Sequence, residues 1–304
     1  LHAFLRDTFG RAVHPVPDDR VDGERCISGN PFDELLMEEA REVIIGLLDI
    51  PPDHRTCAQG QTFFLGLIAA LLKEAGDPDW RFYLEVGDGV PLGVDGSLPR
   101  VPAVFEEKLR WKLDGDVGAG VPEAGNYASV QEHLPEVRAL FRQEAQLGWM
   151  REYTDAEAAD KFGDNLYVAA LGVVTEPGKI RVVHDGTHRI HVNNRIRPPD
   201  QIRSPGAGEL RTLLQESSSA GVKRWALGGD VSKAHRRVKV REEDWGFQAC
   251  RLDAGRVWVN TVGTYGMTSA SYWWTRVAAG AIVRLFHYIT CLLYTSDAAD
   301  ELSC

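Results

Sequence analysis

Cysteine and methionine are scarce in this chain of 304 residues, with five of the first and three of the second. The cysteines, Cys26, Cys57, Cys250, Cys291 and Cys304, are odd in number and form no CxxC pair. That pattern argues against a disulfide framework or a zinc knuckle and fits a reducing, intracellular setting, nuclear or cytoplasmic. Long apolar runs are also missing. The most apolar one, Phe63 to Leu72, is far shorter than the roughly 20 residues a bilayer span needs, so it reads as a buried helix and no membrane partner is expected. No Met opens the chain and no basic-then-apolar signal follows, so the start reads as a cut fragment and not as a secreted terminus. Internal repeats and low-complexity stretches are absent as well.

What is present is globular composition: 44% hydrophobic and 26% charged residues, which excludes disordered, collagen-like and coiled-coil chains. The length suits one large domain or two ordinary ones. The net charge of −10 hides an asymmetry. Residues 1–178 carry 16 Lys and Arg against 32 Asp and Glu, whereas residues 179–256 carry 16 against 9. A basic segment within an acidic chain is the electrostatic footprint of a polyanion site, although a solvated charged face gives the same count.

Helical spacing is predicted over Pro31 to Ile50, stopped by Pro51-Pro52, and again over Gln61 to Ala75. Gly76 to Gly125, rich in Gly, Pro and Asp, reads as loops with small strands around runs such as Trp80 to Val86. A third helix, Pro135 to Met150, is predicted to gather Val137, Leu140, Phe141, Ala145 and Leu147 near one face, with Arg138, Arg142 and Glu144 elsewhere. After Asp164 the texture turns β-branched. Leu166 to Val174 and Lys179 to His184 flank a Pro-Gly turn and predict a hairpin, whose alternation projects Lys179 and Arg181 from the face opposite Val182. Trp225 to Val231 reads as a short buried strand, and Ser232 to His235 can open a helical turn. Phe247 to Leu252 and Arg256 to Val262 predict a second hairpin. The glycine-bracketed loop Gly263 to Ser269 precedes a helix from Ala270 to Ile289. This order of elements belongs to an α+β fold.

Asp230 is the sharpest single residue. An apolar strand delivers a carboxylate at its end, where it either coordinates a hard cation or caps the following turn, among Lys233, Arg236, Arg237, Lys239 and Arg241. The stretch GDVSKAH, Gly229 to His235, resembles the first catalytic motif of reverse transcriptases. Lys179 to Asp185 with Val192 to Ile196 resembles their fingers motif, and GTYGMTSAS, Gly263 to Ser271, resembles their glycine loop. In order and spacing, Gln131 to Ile289 is similar to the fingers and first part of the palm of a retrotransposon-type reverse transcriptase.

That resemblance implies an RNA-directed DNA polymerase of right-hand architecture, a nucleotidyltransferase using Mg²⁺, dNTP and a primed RNA or DNA template. It implies that Asp230 is the first metal-binding carboxylate and that the backbone of Val231 and Ser232 holds the triphosphate. Lys179 and Arg181 would neutralise phosphate charge as it shifts onto pyrophosphate. Tyr265 and Gly266 would line the base-pair floor. His235 stands where the family has Tyr or Phe under the sugar, a departure that leaves sugar discrimination open. The third motif, Tyr-x-Asp-Asp, is absent from the 304 residues, and one carboxylate does not hold two Mg²⁺ ions, so the fragment as given is expected to be inactive.

The implied organisation is an acidic N-terminal region of unknown role (1–130), fingers and partial palm (131–290), and a tail (291–304). The tail from Cys291 resembles the translation of a sequencing adapter. Two rival readings are a non-enzymatic nucleic-acid binder, stacking bases on Trp225, Trp245, Trp258, Trp273 and Trp274, and a metal-site hydrolase built on His184, Asp185, His188 and His191. Ser269 and Ser271 lack the G-x-S-x-G elbow of a serine nucleophile.

Overall fold

The computed structural model describes residues 34–57, 60–94, 96–102, 106–110, 120–201, 206–220 and 231–288. Helices and sheet are mixed along the chain, so the α+β expectation holds at that level. The described residues form two compact units. One takes 34–57, 64–84 and 278–288; the other takes 60–63 and the described parts of 85–277. The expected strand Trp225 to Val231 lies outside the described residues except for Val231, which is in no strand, and the adapter-like tail also lies outside them.

In the first unit, α1 (Glu34–Leu47) and α2 (Leu65–Glu74) match two expected helices with shorter ends. The Trp80 to Val86 run forms no strand. Its centre is a helical turn, α3 (Phe82–Glu85), entered after Asp77 accepts the Asp79 N–H at 2.8 Å. Asp77 also takes Arg284 Nε at 2.6 Å and the Tyr288 hydroxyl at 2.8 Å. Burial pulls its carboxyl upward, but these bonds outweigh that and hold it below the usual carboxylate range.

The second unit holds a small ribbon of β1 (Glu106–Glu107) and β5 (Asp200–Gln201), and a five-stranded sheet in the order β2 (Met150–Thr154), β7 (Arg256–Asn260), β6 (Ala249–Cys250), β3 (Val168–Glu176), β4 (Lys179–Asp185). Only β3 and β6 pair in parallel within it. Helices α4 (Ala128–Glu132) and α5 (Leu134–Gln146) bury Val130, Val137 and Phe141 against Met150, Leu171 and Cys250 of the sheet. Removing buried side chains of this size typically costs about 2–5 kcal/mol.

The α5 face differs from the expectation. Residues 137, 141 and 144 are spaced i, i+4, i+7, so Glu144 lies on the buried stripe with Val137 and Phe141, while Leu147, past the helix end, is half exposed. An unpredicted helix, α6 (Asp155–Phe162), starts in a capping box. Thr154 Oγ1 accepts the Glu157 N–H, and the Glu157 carboxylate accepts the Thr154 N–H. Short α7 (Val192–Arg195) and α8 (Ala207–Ala220) follow β4.

The last expected helix begins two residues early, as α9 (Thr268–Ala278), and passes into π-helical turns over Ala279–Arg284. Gly280 lies so close to Tyr83 that a Cβ there would collide with the phenol hydroxyl. Among the described residues no helix is long and apolar enough to cross a membrane.

Candidate functional site

The β3–β4 hairpin turns through Pro177-Gly178, with Gly178 at φ +77°, and sets Glu176 opposite Lys179, Val174 opposite Arg181 and Val173 opposite Val182. Period-2 alternation then separates the strand's two faces. Ile180 and Val182 pack against the Phe141 cluster, while Lys179 and Arg181 remain exposed on the other face, as the sequence predicts. Both cations are engaged. The Glu176 carboxylate lies 3.2 Å from Lys179 Nζ and 2.8 Å from Arg181 Nε. Partial burial raises this carboxyl, but the two cations outweigh it and hold the group below the ordinary glutamate range.

A cavity of about 510 Å³ opens beside this strand. Lys179, Arg181, Val231, Ser232 and Tyr265 all line it, bringing together three segments that lie far apart in sequence. His235 and Gly266 flank it: the His235 ring packs on Tyr265 with centroids 5.1 Å apart, and Gly266 follows Tyr265 directly. Asp230 lies outside the described residues, so its position relative to Arg181 is not part of this geometry.

The cavity's polar wall was not legible as such. Glu144 binds Arg236, which is nearly inaccessible at 3%, and stands 3.6 Å from Lys233. Arg236 also donates to Asn260 Oδ1 at 2.7 Å. The expected phosphate-facing cluster is therefore split. Arg236 is spent on an internal ion pair and Arg241 pairs with Asp244 at 2.8 Å, while the Lys233 ammonium lies 5.3 Å over the Trp149 ring. The signal for Glu144 was the seven-residue spacing from Val137. A charge on a buried stripe requires a buried partner, and Arg236 is that partner.

The glycine loop is tied to β4 through backbone and side chain. The His184 N–H donates to the Tyr265 carbonyl at 3.0 Å, and Asn193 Nδ2 donates to the Gly266 carbonyl at 2.6 Å. Asn193 Oδ1 accepts the Thr268 N–H at 2.8 Å, closing the start of α9. Gly266 has φ +102°, and a Cβ there would run into the His184 carbonyl, so this position requires glycine twice over. His184 itself is fully buried, and among the described residues neither ring nitrogen has a hydrogen-bond partner. Desolvation lowers its pKa to about 4, which keeps the imidazole neutral at physiological pH. Burial likewise lowers the pKa of His235.

The rival constellations do not assemble in the same way. Asp185 accepts the N–H groups of Thr187 and His188 at 3.0 and 2.9 Å and the Tyr127 hydroxyl at 2.6 Å, which makes it a turn-closing residue. Among the described residues, no three His, Cys, Asp or Glu side chains are placed to share a metal ion, so the His184, His188 and His191 spacing forms no such site. The expected Mg²⁺ ligand, Asp230, lies outside the described residues.

The tryptophans are mostly structural. Trp245 and Trp273 are buried, with Nε1 donating to Val240 and Pro91 carbonyls at 2.8 and 2.6 Å. Trp258 packs edge-on against Phe141, and Trp274 stacks on Phe63. Trp225 lies outside the described residues.

No protein-family model matches this chain, and no curated protein matches it in sequence. Among solved structures, the chain is similar to the foamy viral protease-reverse transcriptase in complex with dsDNA, at a TM-score of 0.35 and 13% identity. That alignment covers 80% of this chain and 41% of the viral one, so the chain spans about two fifths of the length of the protein it matches.

Proposed function

We propose that this chain carries the nucleotide-binding part of an RNA-directed DNA polymerase of a retroelement, with β3–β4 as the fingers hairpin and the sheet around β6 and β7 as the first part of a palm. In the intact parent, the reaction is template-directed transfer of a nucleotide from dNTP to a primer 3′-hydroxyl by a two-metal mechanism. One observation carries the reading: five of the residues assigned to the nucleotide by motif, Lys179, Arg181, Val231, Ser232 and Tyr265, line a single cavity, although they come from three segments remote in sequence.

The roles follow from the chemistry of each group. Lys179 and Arg181 offset charge as it moves onto the leaving pyrophosphate. Val231 and Ser232 offer backbone N–H groups along the same wall. Tyr265 and Gly266 form the floor under the base pair. His235, half-buried against Tyr265, lies beneath the sugar as a neutral ring that both fills space and offers a polar edge. Asp230 is assigned to Mg²⁺ on its motif alone, and the ion's contribution when bound is charge stabilisation of the phosphates. Because a single carboxylate is insufficient for two ions, these 304 residues are proposed to bind nucleotide without turning it over.

Titration calorimetry of the full chain with a dNTP tests this. Binding is expected to weaken with added salt and to drop about tenfold or more in Arg181→Gln. Absence of dNTP binding at millimolar concentration, or binding indifferent to Arg181 and Lys179, refutes the reading.

A further inference from the structure

We propose that Glu176 is a built-in occupant of the anion seat formed by Lys179 and Arg181, holding both cations in the free chain so that a phosphate-bearing ligand must displace it. The proposal rests on the nucleotide-binding reading above and adds a regulatory contact to the same site.

Three features of the hairpin carry it. First, the register fixes the contact. Glu176 is the direct cross-strand partner of Lys179 at the turn, and Arg181 lies on the same face of β4 one alternation further on. The two-residue turn leaves the carboxylate no route away from them except side-chain rotation. Second, both cations are committed to one group, at 3.2 and 2.8 Å, and these are the two cations of β4 that line the cavity. Glu176 does not line the cavity itself, whereas both of its partners do. Third, the contact is breakable. The side chains of Lys179 and Arg181 are 59% and 54% exposed, and ion pairs of that exposure contribute little individually and are screened by salt. A carboxylate with a single charge yields to a triphosphate with several, so the latch lowers affinity without closing the site. It would filter out singly charged anions, which compete with Glu176 on equal terms.

The test is titration of the full chain with inorganic tripolyphosphate at fixed ionic strength, comparing wild type with Glu176→Gln, Arg181→Gln and Lys179→Gln. Glu152→Gln, an exposed position on β2, controls for net charge. Glu176→Gln is expected to bind about 3- to 10-fold tighter, roughly 0.7–1.4 kcal/mol at 1.4 kcal/mol per tenfold, with Glu152→Gln unchanged. Binding by Glu176→Gln that is equal to or weaker than wild type, while Arg181→Gln still weakens it, overturns the latch and leaves the seat. An equal gain in Glu152→Gln overturns it as a bulk charge effect. If neither Arg181→Gln nor Lys179→Gln alters binding, the nucleotide reading falls and the latch with it.

Discussion

The Glu144–Arg236 pair offers the most demanding test of how the cavity wall is held. Both side chains are nearly out of water, with side-chain exposures of 10% and 3%, and Arg236 is further bonded to Asn260. Removing one partner strands the other's charge in the interior. By analogy with buried pairs generally, Glu144→Ala is expected to cost about 3–5 kcal/mol, and Arg236→Met a similar amount. For a unit of this size, that lowers the midpoint of thermal unfolding by roughly 6–20 °C. The double variant Glu144→Leu with Arg236→Met removes both charges and keeps most of the volume, so its stability should return to within about 1 kcal/mol of wild type, or exceed it. Because the chain has two compact units, a global melt mixes their transitions. Hydrogen exchange of the β3 and β7 amides reports opening of this unit alone. If the two single substitutions cost under 1 kcal/mol each, or if their effects add in the double variant, the account of a mutually dependent buried pair is wrong.

Other expectations are equally direct. His184 has a folded pKa of about 4 against 6.5 when unfolded, so the unfolded chain takes up the proton first as pH falls. Stability is full above about pH 6.5 and declines toward pH 4, by about 3 kcal/mol, and urea unfolding of wild type and His184→Gln across that window should differ in slope. An NMR-titrated pKa of 6 or higher for His184 contradicts this. Thr154→Ala removes one half of the capping box of α6 and should cost about 1 kcal/mol, read as earlier exchange of the α6 amides. Phe141→Ala, in the cluster beneath Ile180 and Val182, should cost about 3–5 kcal/mol in the same measurement, and a loss below 1 kcal/mol would remove that cluster from the core.

Legibility of the sequence followed the locality of the signal. The β3–β4 hairpin was readable because Pro177-Gly178 sits between two β-branched runs, and the side of Arg181 followed from alternation alone. The second hairpin, around Asp253-Ala-Gly255, was equally local. Helix α6 had a readable signature in Thr154-x-x-Glu157 that the β-branched texture after it overshadowed. Trp80 to Val86 misled because its apolar residues suit a strand, while the deciding feature is the Asp77 and Asp79 turn before it. The acidity of Glu144 argues for the surface and its spacing for the buried stripe, and its partner lies 92 residues away, where only the fold brings them together. The same holds for Glu176: the turn that positions it is local, but the cavity that gives its contact meaning is not. The assignment of Asp230 rests on motif, since that residue falls outside the described set.

Asn193 grips the glycine loop at two points while its own N–H donates to Gly186, one residue past the end of β4. Tyr265 and the strand bearing Arg181 are thereby geared to each other. The two walls of the hollow therefore share one backbone register, and a change that shifts the β4 terminus carries the Tyr265 and Gly266 carbonyls with it.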